Sequence, residues 1–184
     1  GREDVLSVFA GLRPLVKHEG TATKKISREH EIIVSRGGLV TVVGGKWTTY
    51  RRMAADTMDS AIDIGGLERR DCVTESLRLH GWLDRSDPSM PRSNWLRVYG
   101  ADAEEVLGTC SEIEDGMELL HERLPYPRGV VVHAVRFELA RTVEDVLARR
   151  TRALLLDASA AADAAEEVAT LMADELGRDA AWVA

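Results

Sequence analysis

Leu39-Val40-Thr41-Val42-Val43-Gly44-Gly45-Lys46-Trp47-Thr48-Thr49-Tyr50 is the stretch on which the reading of this chain rests. Its first five residues are apolar and β-branched, as a strand requires. Its end runs into Arg51-Arg52-Met53-Ala54-Ala55-Asp56-Thr57-Met58, which is helix-like. A strand therefore feeds a glycine pair, and the pair feeds a helix start. Glycine carries no side chain, so its backbone is open to close approach. The first turn of a helix offers unpaired N–H groups and a partial positive charge. Lys46 adds a full charge at the same place. The combination suits an anion, or an electron-rich ring that becomes anionic when reduced. An ordinary strand–turn–helix connection uses the same residue types, so the motif alone does not decide between them.

Working outward, residues 31–35 and 39–43 predict two strands, joined by the hairpin turn Arg36-Gly37-Gly38. The helix after the glycines is expected from about Thr48 to Ile62. Met53, Ala54, Met58, Ala61 and Ile62 would form its buried stripe, and Gly65-Gly66 would end it. Pro14 holds Arg13 in an extended backbone. Residues 65–92 read as a connector, with a polar loop around Pro88 and Pro91.

From residue 93 the pattern is helical. Asp102 is expected to cap a helix that Gly108 stops, and Glu112 to Arg123 reads as another short helix. Val130-Val131-Val132 locally favours strand, whereas the residues after it favour helix. Thr142 with Asp145 makes an N-cap arrangement. Residues 159–176 read as an Ala-rich helix with Val168, Leu171, Met172 and Leu176 on one side, closed by Gly177. The cluster Arg149, Arg150 and Arg152 is within helical reach of Glu138, Asp145 and Asp157, which predicts ion pairs between helices rather than a nucleic-acid surface.

Three motifs occur in order: Gly11-Leu12-Arg13-Pro14, then Ser27-Arg28-Glu29-His30, then Gly44-Gly45-Lys46-Trp47-Thr48-Thr49-Tyr50. A fourth, Glu138-Leu139-Ala140-Arg141-Thr142-Val143-Glu144, lies far downstream. The ordered set resembles the C-terminal part of the FAD-dependent (aerobic) glycerol-3-phosphate dehydrogenases across nearly the whole chain. The resemblance implies a mainly α fold, in which a β-hairpin–helix remnant of an α/β FAD-binding domain (residues 1–64) precedes an α-helical C-terminal domain (residues 93–184). It implies that Arg13, Arg28 and Lys46 bind sn-glycerol 3-phosphate. It further implies that Gly45, Lys46, Trp47 and Thr48 meet the flavin, where the helix-start N–H groups stabilise the charge of the reduced ring.

The full-length protein would pass electrons to a quinone from a peripheral seat on the inner membrane, facing the cytoplasm. The resemblance also admits a homodimer. An oxidase passing electrons to oxygen would carry the same residues, and a non-catalytic helical interaction module is the rival from another class. The family's catalytic histidine falls upstream of Gly1, so no catalytic residue is assigned within the chain. No G-x-G-x-x-G opens a βαβ unit here. The chain is therefore read as a fragment that is inactive and does not bind FAD by itself.

Composition fits this reading. The 184 residues carry a net charge of −7, which argues against a nucleic-acid binder. Residues 1–60 hold ten Lys/Arg against seven Asp/Glu, whereas residues 61–184 hold fourteen against twenty-four. The basic excess therefore sits with the glycine motif. Cys72 and Cys110 are far apart, and the five histidines show no metal-ligand spacing. His30 is singled out among them because it follows Arg28 closely. No apolar run approaches the roughly 20 residues that span a bilayer.

Overall fold

The computed structural model describes Gly1, residues 4–12 and residues 29–183. The chain divides into two compact units, Gly11–Arg78 and Leu79–Ala184, the latter together with Gly1–Ala10. The architecture is mainly α, with one two-stranded antiparallel hairpin ahead of the helices.

In the first unit, strands β1 (His30–Val34) and β2 (Val40–Gly44) pair with Ile32 opposite Val42. Each is shifted by one residue from the expected span. The turn closes through the Ser35 N–H to the Leu39 carbonyl at 3.0 Å and the Gly38 N–H to the Ser35 carbonyl at 3.0 Å. Gly38 takes φ 84°, which is why a glycine stands there. A single 3₁₀ turn, Trp47–Thr49, leads into helix α1 (Tyr50–Gly65). Gly66 adopts φ 60° and ends the helix, and the Leu67 N–H reaches back to the Ile62 carbonyl at 3.0 Å.

The expected apolar stripe of α1 needs correction. Ala54 and Met58 are exposed, and the better-covered positions include Met53, Asp56, Thr57, Ser60 and Ala61. These follow helical spacing, but three of them are polar. Thr57 and Ser60 turn their hydroxyls back to the Met53 and Asp56 carbonyls, at 2.7 Å and 2.9 Å, so the polar groups are satisfied within the helix. Among the described residues of this unit none is fully buried.

The second unit holds the core. A 3₁₀ stretch Arg97–Asp102 precedes α2 (Ala103–Glu112), followed by α3 (Gly129–Arg136), a π-helical stretch Asp145–Arg150, α4 (Ala153–Leu156), α5 (Ala158–Asp163), α6 (Ala165–Leu176) and α7 (Ala180–Val183). Leu124, Val131, Val146, Val168 and Met172 are buried together, and Val106, Cys110 and Val130 form a second cluster. Leu6 and Ser7 join this unit through the Ala158 N–H to the Leu6 carbonyl at 2.9 Å and the Ser7 hydroxyl to the Leu154 carbonyl at 2.7 Å.

Several sequence expectations fail here for physical reasons. Gly108 does not stop α2, because Val106, Thr109 and Cys110 are buried around it and their packing outweighs glycine's weak propensity. Glu112 to Arg123 is not a helix. Asp115 sits at φ 55°, and the segment folds back so that the Leu120 N–H meets the Tyr126 carbonyl at 3.0 Å. The Val130–Val132 ambiguity resolves to helix, since every residue from Gly129 to Val135 is buried. The Thr142–Asp145 cap forms reciprocally: the Thr142 N–H reaches the Asp145 carboxylate at 3.0 Å, and the Asp145 N–H reaches the Thr142 hydroxyl at 3.1 Å. The Ala-rich run is two helices, α5 and α6, and Gly177 closes the second at φ 61°. Arg149 pairs with Asp145, one of the expected partners, and with Glu144, both within its own helical stretch rather than between helices, while Arg150 lies 3.9 Å from the expected Glu138. Asp157 pairs with Arg123 at 3.3 Å instead of with the arginine cluster.

Candidate functional site

The site is built where β2 ends. Gly44 and Gly45 both take positive φ, 74° and 79°, so the chain turns sharply off the strand. Lys46 then stands as the cap of the 3₁₀ turn. Its carbonyl accepts from the Thr49 N–H and the Thr49 hydroxyl, each at 2.9 Å. Trp47 and Thr48 follow at the helix head, where the helical ladder gives their N–H groups no partner. Trp47 is 86% exposed and stacks on Tyr50 with ring centroids 5.6 Å apart.

Beside this turn lies a cleft of about 400 Å³ lined by Glu29, His30, Lys46, Thr49 and Arg52. Among the described residues no ion pair involves Lys46, so its ammonium is available to a ligand. His30, on β1, reaches across to α1. Its Nε2 lies 3.0 Å from Asp56 Oδ2. Arg52 Nε lies 2.9 Å from Asp56 Oδ1 and 3.0 Å from Oδ2. Asp56 is thus shared by a strand residue and a helix residue that both line the cleft or its wall.

Of the residues expected to bind substrate, Lys46 lines the cleft, while Arg13 and Arg28 lie outside the described residues. Of those expected to meet a flavin, Gly45, Lys46, Trp47 and Thr48 are contiguous at the turn. Gly45 has an additional reason to be glycine. A Cβ there would meet Met53 Sδ at 2.5 Å and His30 Cβ at 3.2 Å, so a side chain at this position would have to displace the Met53 thioether. Sequence reasoning missed Asp56 and Arg52. Their i,i+4 spacing on α1 was readable as a helical ion pair, but the third member, His30, is 26 residues away and only the fold brings it in. Among the described residues no helix is long and apolar enough to cross a membrane, and no group of three or more His, Cys, Asp or Glu could hold a metal ion.

Comparison with known proteins gives a consistent result. Residues 40–182 match the family described as the C-terminal domain of alpha-glycerophosphate oxidase. A probable mitochondrial glycerol-3-phosphate dehydrogenase of Caenorhabditis elegans is 37% identical over 194 residues, covering 96% of this chain and 27% of that protein. The mitochondrial glycerol-3-phosphate dehydrogenase of Saccharomyces cerevisiae is 33% identical, covering 95% of this chain and 34% of its own length. That of Homo sapiens is 35% identical, covering 97% and 27% respectively. The chain thus spans about a quarter to a third of the length of these relatives. No solved structure matches it.

Proposed function

The chain belongs to the family of the C-terminal domain of alpha-glycerophosphate oxidase, and from that premise we propose that it is the C-terminal portion of a flavoenzyme oxidising sn-glycerol 3-phosphate to dihydroxyacetone phosphate. The observation that carries this is Lys46. It stands at a helix head directly after two positive-φ glycines, lines a cleft, and has no ion pair among the described residues. In this reading residues 1–64 close the flavin and substrate domain, residues 65–92 connect and residues 93–184 form the helical domain, whereas the compact units divide between Arg78 and Leu79 and take Gly1–Ala10 with the helical unit.

The residues present fit one edge of a flavin. The Trp47 and Thr48 N–H groups head a helix, where partial positive charge favours an electron-rich edge. Lys46 supplies a full charge beside them, and exposed Trp47 offers a flat apolar face. When bound, FAD supplies the acceptor for the two electrons that leave the carbinol carbon. In this reading the chain's own cations hold the phosphate end: Lys46 at the turn, with Arg13 and Arg28 given the same role by the family resemblance alone. The sequence has no dinucleotide fingerprint, so the 184 residues alone are colourless and inactive.

Electrons pass to a quinone in this reading, from a peripheral seat on the inner membrane facing the cytoplasm. The relatives named above as dehydrogenases favour it. Oxygen is the second reading, because the matching family is described by an oxidase. The test is an assay of the full-length protein with glycerol 3-phosphate, once with a soluble quinone and once with oxygen alone. Turnover with quinone and little peroxide supports the dehydrogenase, and stoichiometric peroxide supports the oxidase. A full-length protein with bound flavin that oxidises glycerol 3-phosphate with neither acceptor would end the proposal.

A further inference from the structure

The His30–Asp56–Arg52 arrangement goes beyond that reading, because none of its three members belongs to the set so far assigned to substrate or cofactor. Arg52 and Asp56 stand at i,i+4 on α1, and an ordinary surface pair at that spacing contributes little. Two features set this one apart. Asp56 is only 25% exposed at its side chain, and it is held from a second element by His30 Nε2 at 3.0 Å. Its contact with Arg52 is made to Nε, at 2.9 Å and 3.0 Å to the two carboxylate oxygens. The terminal nitrogens Nη1 and Nη2 have no partner among the described residues. Arg52 is 77% exposed at its side chain and lines the same cleft as Lys46.

A guanidinium anchored at Nε keeps its plane fixed and leaves its outer fork for an oxyanion. Lys46, the other cation of the cleft, has no ion pair among the described residues, whereas Arg52 is committed to Asp56 through Nε. A lysine and an arginine fork in one cleft of about 400 Å³, which Glu29 and His30 also line, suit a phosphate group. The Thr49 hydroxyl, also lining the cleft, donates to the Lys46 carbonyl at 2.9 Å and so fixes the backbone that carries the lysine.

We propose that Arg52 and Lys46 together seat the phosphate of a phosphate monoester, and that Asp56, braced by His30, is the positioning residue that aims Arg52. The proposal rests on the reading above only for the identity of the ester as glycerol 3-phosphate. It assigns the phosphate grip partly to α1, a helix from which the sequence motifs nominate no ligand.

Calorimetry on the full-length protein tests it, with inorganic phosphate and glycerol 3-phosphate as probes. Arg52→Gln removes the fork and should weaken both ligands by about tenfold or more. Asp56→Ala leaves Arg52 charged but unaimed, and should weaken both by about three- to tenfold. Asp56→Asn retains an acceptor for Nε and should fall between Asp56→Ala and the native protein. Melting curves accompany each variant. Wild-type affinity for phosphate in Arg52→Gln overturns the proposal, as does failure of the native protein to bind phosphate. An Asp56→Ala variant that melts earlier but binds phosphate unchanged makes Asp56 merely structural and also overturns it. If the variants lose phosphate as stated while the native protein never turns over glycerol 3-phosphate, the seat stands and the substrate assignment falls.

Discussion

Gly45 packs against the thioether of Met53: a Cβ on the glycine would lie 2.5 Å from Sδ and 2.7 Å from Cε. Glycine at this turn therefore serves the fit of the β2 exit onto α1, and any ligand is left to the neighbouring amides and to Lys46. The same position needs φ 79°, which an L-residue with a side chain adopts only at a cost.

Gly45→Ala separates these two requirements. The backbone term alone should cost about 1–2 kcal/mol. The clash is with the far end of a flexible side chain, so Met53→Ala in the same protein should recover only the contact part. Hydrogen exchange at the Val42 and Val43 amides of the full-length protein reads the local opening. Full recovery of protection in the double variant would show that packing, and not φ, demands the glycine.

Two glycines of the helical unit should respond to alanine with opposite signs. A Cβ on Gly108 meets nothing within 4 Å, in an exposed mid-helix position, so Gly108→Ala should stabilise by about 0.5–1 kcal/mol. A Cβ on Gly129 would strike the Cα of Cys110, stand 2.7 Å from its Sγ and 2.8 Å from its Cβ. There the α2 backbone blocks the way, and Gly129→Ala should destabilise by about 1–3 kcal/mol. Denaturant midpoints of the two variants decide it, and equal shifts would refute the account of how α2 meets α3.

His133 gives the helical unit a dependence on pH. It is 4% exposed and lies 4.9 Å from the Phe137 ring and 5.6 Å from Tyr99, with the Thr109 hydroxyl 3.4 Å from Nδ1. Burial pushes its imidazole below the ordinary 6.5, and the carboxylates of Glu138, Glu105 and Asp102 only partly oppose this. The unfolded chain then binds a proton before the folded one does. Stability is therefore full above about pH 6.5 and declines as pH falls from there toward the folded value. Asp145 adds its own loss only below 3.8, because the Arg141 N–H and then Thr142 hold its carboxyl down. Unfolding midpoints between pH 7.5 and 5 should fall for the native protein and stay flatter for His133→Gln. Parallel slopes would remove His133 as the cause.

Much of this was legible in the sequence, and the failures share a cause. The hairpin, the Lys46 turn, the Gly66 and Gly177 helix ends and the Thr142–Asp145 cap are local, and local signals specify them. Gly108 does not end its helix, because the helix is held by the burial of Val106 and Cys110, which propensity does not see. Asp115 turned an expected helix into a turn by taking a left-handed backbone, a conformation its composition only permits. In α1 the alternation of Met and Ala suggested one face, while Asp56, Thr57 and Ser60 occupy the covered one because their polar groups find partners locally and across from His30. That cross-element contact, joining residues 30 and 56, is the part of the candidate site that no spacing rule reaches.

Lys46 is the residue on which the functional reading depends most. Lys46→Met keeps the length and apolar stem of the side chain and removes only the charge. The lysine is exposed and pairs with no described carboxylate, so the fold should hardly change and the melting curve should stay in place. Loss of a charge-assisted hydrogen bond to phosphate or to a flavin edge costs about 1.5–3 kcal/mol, or roughly 10- to 150-fold in kcat/KM. The split between constants tells which ligand the lysine holds. A rise in KM for glycerol 3-phosphate alone marks a grip on the substrate that is equal in ground and transition states, whereas a fall in kcat marks help given only as charge develops during the reaction. Trp47→Ala in parallel should leave the substrate KM nearer the native value, since its ring faces outward at 86% exposure and offers no charge to a phosphate. Unchanged kcat and KM in Lys46→Met, with the melting curve also unchanged, would make the lysine an ordinary solvated charge and would take the glycine turn out of the active site.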